Sequence, residues 1–185
     1  MFPFICIFFI SFLISFTTLP LINKFAVKRR LLDFEDKRKQ NRNPIPRIGG
    51  LSIFLGLLGS LFFLLINKDL SLGLGNVGIL LILSIGFFLI GFFDDLVNIS
   101  PWPRLIIQIS LSALAWFENI RIDAIDLSYL DIGLEFIVLP KLLSFLFTVI
   151  WIVGLTNAIN WMDGLDGLAA GISLMAVIGL VIINF

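Results

Sequence analysis

The sequence predicts an all-α fold: a polytopic integral membrane bundle of about six transmembrane helices, with the N-terminus outside. Three observations carry this. Of 185 residues, 59% are apolar and only 14% are charged, whereas a soluble domain needs roughly a quarter charged to cover its surface. The apolar runs continue for about 20 residues without strict alternation, which suits membrane helices rather than barrel strands. Nine of the thirteen cations crowd into residues 23–47, and a short basic loop stays in the cytoplasm. The same composition excludes disorder. A single cysteine, Cys6, excludes a disulfide scaffold and reads as a packing residue.

Six stretches fit a bilayer of about 30 Å: residues 2–22, 48–67, 77–93, 101–117, 139–157 and 167–185. The first has no basic residue before its apolar run and no small-residue cleavage pattern after it, so it is not a removable signal. Segment 23–47 holds nine cations against Asp33, Glu35 and Asp36, a surplus of six positive charges offset by acids elsewhere. Alternation from that anchor puts 68–76 and 118–138 outside. Loops 23–47, 94–100 and 157–166 then face the cytoplasm. Segment 118–138 mixes Ile120, Ile122, Ile125 and Leu127 with Asp123, Asp126 and Asp131 and reads as a short hairpin or interfacial piece. No repeat or linker divides the chain, which is expected to be one membrane domain over 1–185.

Three polar clusters fall on the cytoplasmic side. The first runs from Asp33 through Arg38, Lys39 and Asn41 to Pro44, Pro46, Arg47, Gly49 and Gly50. A charge run of this kind is ordinarily an orienting loop that touches anionic lipid. Here the prolines force extended backbone and fix Arg47 at the membrane surface, where its fork suits phosphate oxygens. Bare backbone at Gly49 and Gly50 permits close approach by a ligand or another helix.

The second cluster is Asp94, Asp95 and Asn98. Solvated helix-end acids are the plain alternative, but a helix C-terminus prefers cations. Paired hard oxygen donors favour Mg²⁺, with Mn²⁺ as a substitute, completed by substrate phosphates. The third cluster is Asn157, Asn160, Asp163 and Asp166, with Gly164 and Gly167 between them. On an unbroken helix each step of three drifts by about 60°. The glycines therefore predict a break and restart that aims these groups into one cavity. Capping of the next helix explains Asp166 alone. Basic residues, paired acids and an amide and acid set at one bilayer surface fit Mg²⁺-dependent chemistry on a phosphorylated compound, with a lipid entering sideways.

At these residues the chain resembles the polyprenyl-phosphate N-acetylhexosamine-1-phosphate transferase superfamily, glycosyltransferase family 4. That family includes the undecaprenyl-phosphate N-acetylglucosamine-1-phosphate and phospho-N-acetylmuramoyl-pentapeptide transferases. The resemblance covers essentially the whole chain. It implies transfer of a sugar 1-phosphate from a UDP-sugar to a polyprenyl phosphate, with release of UMP, at the cytoplasmic face of the inner membrane. It further implies that Asp94 acts on the lipid phosphate, as base or by positioning it, and that Asp95 lies near the metal. Asn160 would offer its amide oxygen to Mg²⁺, and Asp163 and Asp166, with Asn157, would shape the nucleotide pocket. No nucleic-acid partner is expected.

Two departures qualify the match. Asn41 stands where the family usually has His, and the chain contains no His at all. The family also continues with further spans, another metal-ligating Asp and a loop rich in His and Arg. The expectation is an N-terminal half, incomplete at its C-terminus, acting with a missing C-terminal half or as a homodimer. The alternative is an inactive remnant or assembly partner. An ion-coupled transporter predicts charges near mid-bilayer, and a membrane prenyltransferase predicts two separated acidic pairs. Neither pattern is present.

Overall fold

The computed structural model describes residues 2–33, 45–46, 48–66, 74–127, 136–162 and 168–184. Among these, six helices and four short strands follow in order: α1 (Phe2–Arg29), β1 (Leu32–Asp33), β2 (Ile45–Pro46), α2 (Gly50–Ile66), α3 (Leu74–Val97), α4 (Pro101–Phe117), β3 (Ala124–Asp126), β4 (Phe136–Val138), α5 (Lys141–Met162) and α6 (Leu168–Asn184). Three helices are long and apolar enough to cross a membrane, Ile5–Arg29, Gly78–Val97 and Lys141–Met162, and Gly50–Leu64 and Leu168–Leu180 are shorter apolar helices. The chain is a helical membrane protein. Its surface carries residues such as Phe8, Phe16 and Ile53 because hydrocarbon, not water, is the solvent there.

The chain divides into two compact units. The first holds α1 to α4 with β1 and β2. Helix α1 outruns the expected span 2–22 by about two turns. Lys24, Lys28 and Arg29 propagate a helix well, and cations at its C-terminus complement the dipole. Arg30, at φ 57°, ends it. Its N–H donates to Val27 O at 3.2 Å and Leu31 N–H donates to Ala26 O at 2.9 Å, a Schellman closure with the apolar contact such closures favour. Ile22, Ala26 and Ile48 form a buried cluster there, with Leu31, Leu51, Phe92 and Leu96 packed against it. β1 pairs antiparallel with β2, Leu32 opposite Pro46. Ile45 is therefore extended, as the proline that follows it favours.

Close helix contact does not occur at Gly49 or Gly50, where a Cβ would meet nothing within 4 Å. It occurs about two turns further along α2, at Gly56 and Gly59. A Cβ on Gly56 would lie 2.7 Å from Ser11 O and against Ser15 Oγ, and one on Gly59 would strike Ile14. Ser15 Oγ donates to Ser52 O at 3.1 Å across the same seam. Small residues let α1 and α2 gain dispersion contact, which is what associates helices in a solvent as apolar as their own side chains. Phe54 on α2 stacks on Phe88 of α3 with centroids 3.9 Å apart, and Gly86 of α3 faces Leu111 of α4.

The second unit holds β3, β4, α5 and α6. The expected hairpin at 118–138 is present: β3 and β4 pair antiparallel, Ile125 opposite Ile137. Ser144 and Thr148, on the α5 face beneath it, are buried.

Candidate functional site

Two sequence expectations about element ends are corrected here. The loop drawn at 94–100 is helical as far as Val97, so Asp94 and Asp95 sit in the last turn of α3 rather than in a loop. Asn98, at φ 50°, adopts the left-handed conformation that closes the helix, and its N–H donates to Asp94 O at 2.8 Å. Asparagine tolerates that conformation better than most residues. The loop drawn at 157–166 likewise begins too early, because α5 runs to Met162. Asn157 stays helical by donating Nδ2–H to Val153 O at 2.8 Å, four residues back.

Adjacent residues on a helix diverge by about 100°, and the twin acids accordingly face different surroundings. Asp94 Oδ2 accepts from Arg104 Nη1 at 2.5 Å, and both side chains are about four-fifths buried, 18% and 20% exposed. Arg104 stands in the first turn of α4, which Ser100 precedes in extended conformation and Pro101 opens. Proline at that position needs no N–H partner and has the helical φ already set. A tight three-residue link and a proline start thus bring Arg104 back over the end of α3.

Asp95 instead lines an open groove of about 170 Å³ between the start of α2 and the last turns of α3. Ile48, Gly50 and Leu51 form one wall, and Phe87, Phe88, Gly91 and Phe92 the other. Both glycines face open space. A carboxylate thus stands on an otherwise aromatic and aliphatic channel.

The first and second clusters are therefore brought together within one unit, at Ile48 and Gly50 on one side and Asp95 on the other. Arg47, Asp163 and Asp166 lie outside the described residues, as does Asn41. Asn157 and Asn160 belong to the last two turns of α5 in the second unit, Asn157 half-buried and Asn160 exposed. Arg104 was missed from sequence. The signal was available, since a cation in the first turn of an apolar helix opposes the dipole and calls for a nearby anion.

Asp95, on the groove, presents a hard carboxylate oxygen of the kind Mg²⁺ takes. Among the described residues no three His, Cys, Asp or Glu side chains gather. Mg²⁺ requires no such set, since it uses one or two carboxylates beside phosphate and water.

Residues 77–185 match the family model described as Glycosyl transferase family 4. Among curated proteins, the chain is 31% identical over 175 residues to a probable undecaprenyl-phosphate N-acetylglucosaminyl 1-phosphate transferase of Bacillus subtilis (strain 168), covering 92% of this chain and 46% of that protein. It is 33% identical over 164 residues to an undecaprenyl-phosphate alpha-N-acetylglucosaminyl 1-phosphate transferase of Thermotoga maritima, covering 89% and 47%. It is 31% identical over 181 residues to a phospho-N-acetylmuramoyl-pentapeptide-transferase of Lactobacillus johnsonii, covering 90% and 54%. The chain spans about half the length of the curated relatives it matches. No solved structure matches.

Proposed function

The chain belongs to glycosyl transferase family 4, and from that premise we propose that it forms part of a membrane site transferring N-acetylhexosamine 1-phosphate from a UDP-sugar to a polyprenyl phosphate. UMP is released, and the product opens cell-envelope glycan synthesis. The site faces the cytoplasmic side of the inner membrane, a reading supported by the basic 23–47 segment.

In this reaction an oxygen of the lipid phosphate attacks the β-phosphorus of the UDP-sugar. The bond from that phosphorus to the bridging oxygen breaks, and UMP leaves with the electron pair. The groove supports this reading most directly. An amphiphile with a phosphate head and a hydrocarbon tail needs an apolar channel that ends beside polar groups, and the walls of Phe87, Phe88 and Phe92 beside Asp95 supply one.

Arg104 offers five donors in all. Its bond to Asp94 orients the guanidinium, whose remaining donors can bind diphosphate oxygens at the end of α3. Asp94 holds that orientation and acts on the lipid phosphate, as base or by positioning it. Asp95 and Asn160 would hold Mg²⁺, which when bound supplies charge neutralisation for the diphosphate. Asn157, Asp163 and Asp166 shape the nucleotide pocket, and Arg47 contacts phosphate.

The experiment measures UMP release from UDP-N-acetylglucosamine by membranes carrying the protein, with and without polyprenyl phosphate and Mg²⁺. Release that needs both is expected. Absence of lipid-dependent release, with the protein folded in the membrane, would turn the reading toward an assembly partner.

A further inference from the structure

Helix α5 carries Asn157 and Asn160 near its end, and no buried apolar side chain of its own fixes the direction in which they stand. Helices α1 and α3 do bury such side chains, Ile22 and Ala26 in the first, Leu83 and Ile90 in the second. Of the 22 described residues of α5, only Ser144 and Thr148 are buried. Exposed Leu142, Phe147, Ile150, Leu155 and Ile159 are spread around its circumference. A helix apolar on every side has little reason to prefer one rotation about its axis, because lipid tails suit each face alike.

Two polar residues supply that reason. Ser144 and Thr148 lie one turn apart on one face, and the segment entering the β3–β4 hairpin engages both. Ile122 N–H donates to Thr148 Oγ1 at 2.9 Å, and Ser144 Oγ donates to Asp123 Oδ1 at 3.1 Å. Leu139 N–H donates to Asp123 O at 2.8 Å, closing the base of the hairpin just before α5 begins. The helix is thus clasped by the chain on its own N-terminal side. A single bond would act as a swivel, whereas two along one face define a rotation.

We propose that Ser144 and Thr148 are positioning residues: their clasp on the hairpin sets the rotation of α5, and with it the direction in which Asn157 and Asn160 are presented. Those two residues stand about 14 and 18 Å beyond Thr148 along the axis, and about 180° and 120° around from it. A side-chain atom at the helix surface is about 5 Å from the axis, so a rotation of about 40° carries it roughly 3–4 Å. That exceeds a Mg²⁺–oxygen bond of about 2.1 Å. The rotation is a property of the helix alone. Its bearing on catalysis rests on the transferase reading, in which Asn160 would give an oxygen to Mg²⁺.

The test uses the full chain in aligned phosphatidylcholine–phosphatidylglycerol bilayers. Orientation-dependent amide-nitrogen NMR at Ile150, Val153 and Asn157 reads the rotation of α5 without substrate or metal. Thr148→Val combined with Ser144→Ala removes both hydroxyls at nearly constant volume. It should turn α5 by some tens of degrees or average its signals about the axis. Thr148→Ser keeps the acceptor and should hold the parent rotation. Ile122→Pro removes the donor from the hairpin side with α5 unaltered and should repeat the shift, which decides the matter should the double variant not insert. An unchanged rotation in whichever of these two inserts would overturn the proposal, since packing elsewhere along α5 would then orient it. So would a shift in Thr148→Ser as large as in the double variant, because the methyl and not the hydroxyl would be responsible. Absence of lipid-dependent UMP release would leave these signals untouched, so the rotational stop and the transferase reading fail separately.

Discussion

Arg104 Nη1 and Asp94 Oδ2 meet at 2.5 Å across the three residues that separate α3 from α4. Each charge stands at the helix end that disfavours it, an acid at a C-terminus and a base at an N-terminus. Their pairing removes both penalties at once, and it separates the surroundings of Asp94 from those of Asp95.

Removal of either partner leaves a mostly buried charge facing the wrong dipole. Arg104→Ala and Asp94→Ala should each lower stability by about 1–3 kcal/mol, the usual cost of an unmet buried hydrogen-bonding group. The double variant should cost less than the two singles together. Thermal unfolding in detergent, run as a double-mutant cycle, measures the coupling.

Asp95 and Gly91 should separate chemistry from folding. Gly91→Leu places a side chain in open groove and leaves the backbone undisturbed. The expected outcome, in an active full-length form, is a raised KM for polyprenyl phosphate with unchanged thermal stability. Asp95→Asn should cut turnover by about 10²-fold or more, as loss of a group acting on the transition-state charge does. An unchanged lipid KM in the leucine variant would remove the groove from the substrate path.

Glycines along α2 should behave in opposite ways. Gly56→Ala brings a methyl to 2.7 Å from the Ser11 backbone, which cannot rotate away, so α1 and α2 must separate at a cost of about 1–3 kcal/mol. Gly50→Ala meets nothing and should be neutral. Melting temperatures of the two variants, compared side by side, check this.

The attachment of the hairpin to α5 should loosen in acid. The Arg121 hydrogen bond holds the Asp123 carboxyl below its ordinary value of 3.8, with Ser144 adding to the effect and partial desolvation opposing it. A lowered pKa means the folded form binds fewer protons. The stabilisation is therefore complete above pH 3.8 and is lost as pH falls through the lowered value. Hydrogen exchange at the Ile122 amide should accelerate over that range, and Asp123→Asn should abolish the acceleration.

The basic segment at 23–47 predicts the sidedness. Cysteines placed at Ser100 and Asn160 should label from the cytoplasm, and one at Lys141 should label from outside. Labelling of Ser100 and Asn160 from opposite sides would mean that the α3 and α5 clusters cannot share a site.

The sequence by itself determined the solvent of this protein, the six helices among the described residues and the hairpin between α4 and α5. Those features follow from the length of apolar runs and the clustering of cations, which depend on no distant contact. It also singled out Asp94, Asp95 and Asn157, but ended their helices early. Polar residues in a last turn look like loop until a local bond, such as Asn98 N–H to Asp94 O, closes the helix behind them.

Only the tertiary structure decided that Asp94 belongs to Arg104 while Asp95 belongs to the groove. That division depends on helix rotation and on which neighbour packs against each face. The close approach at Gly56 instead of Gly50 was decided in the same way. A glycine reads alike in sequence whether its bare side meets a helix or open space, and only the packed neighbour distinguishes the two.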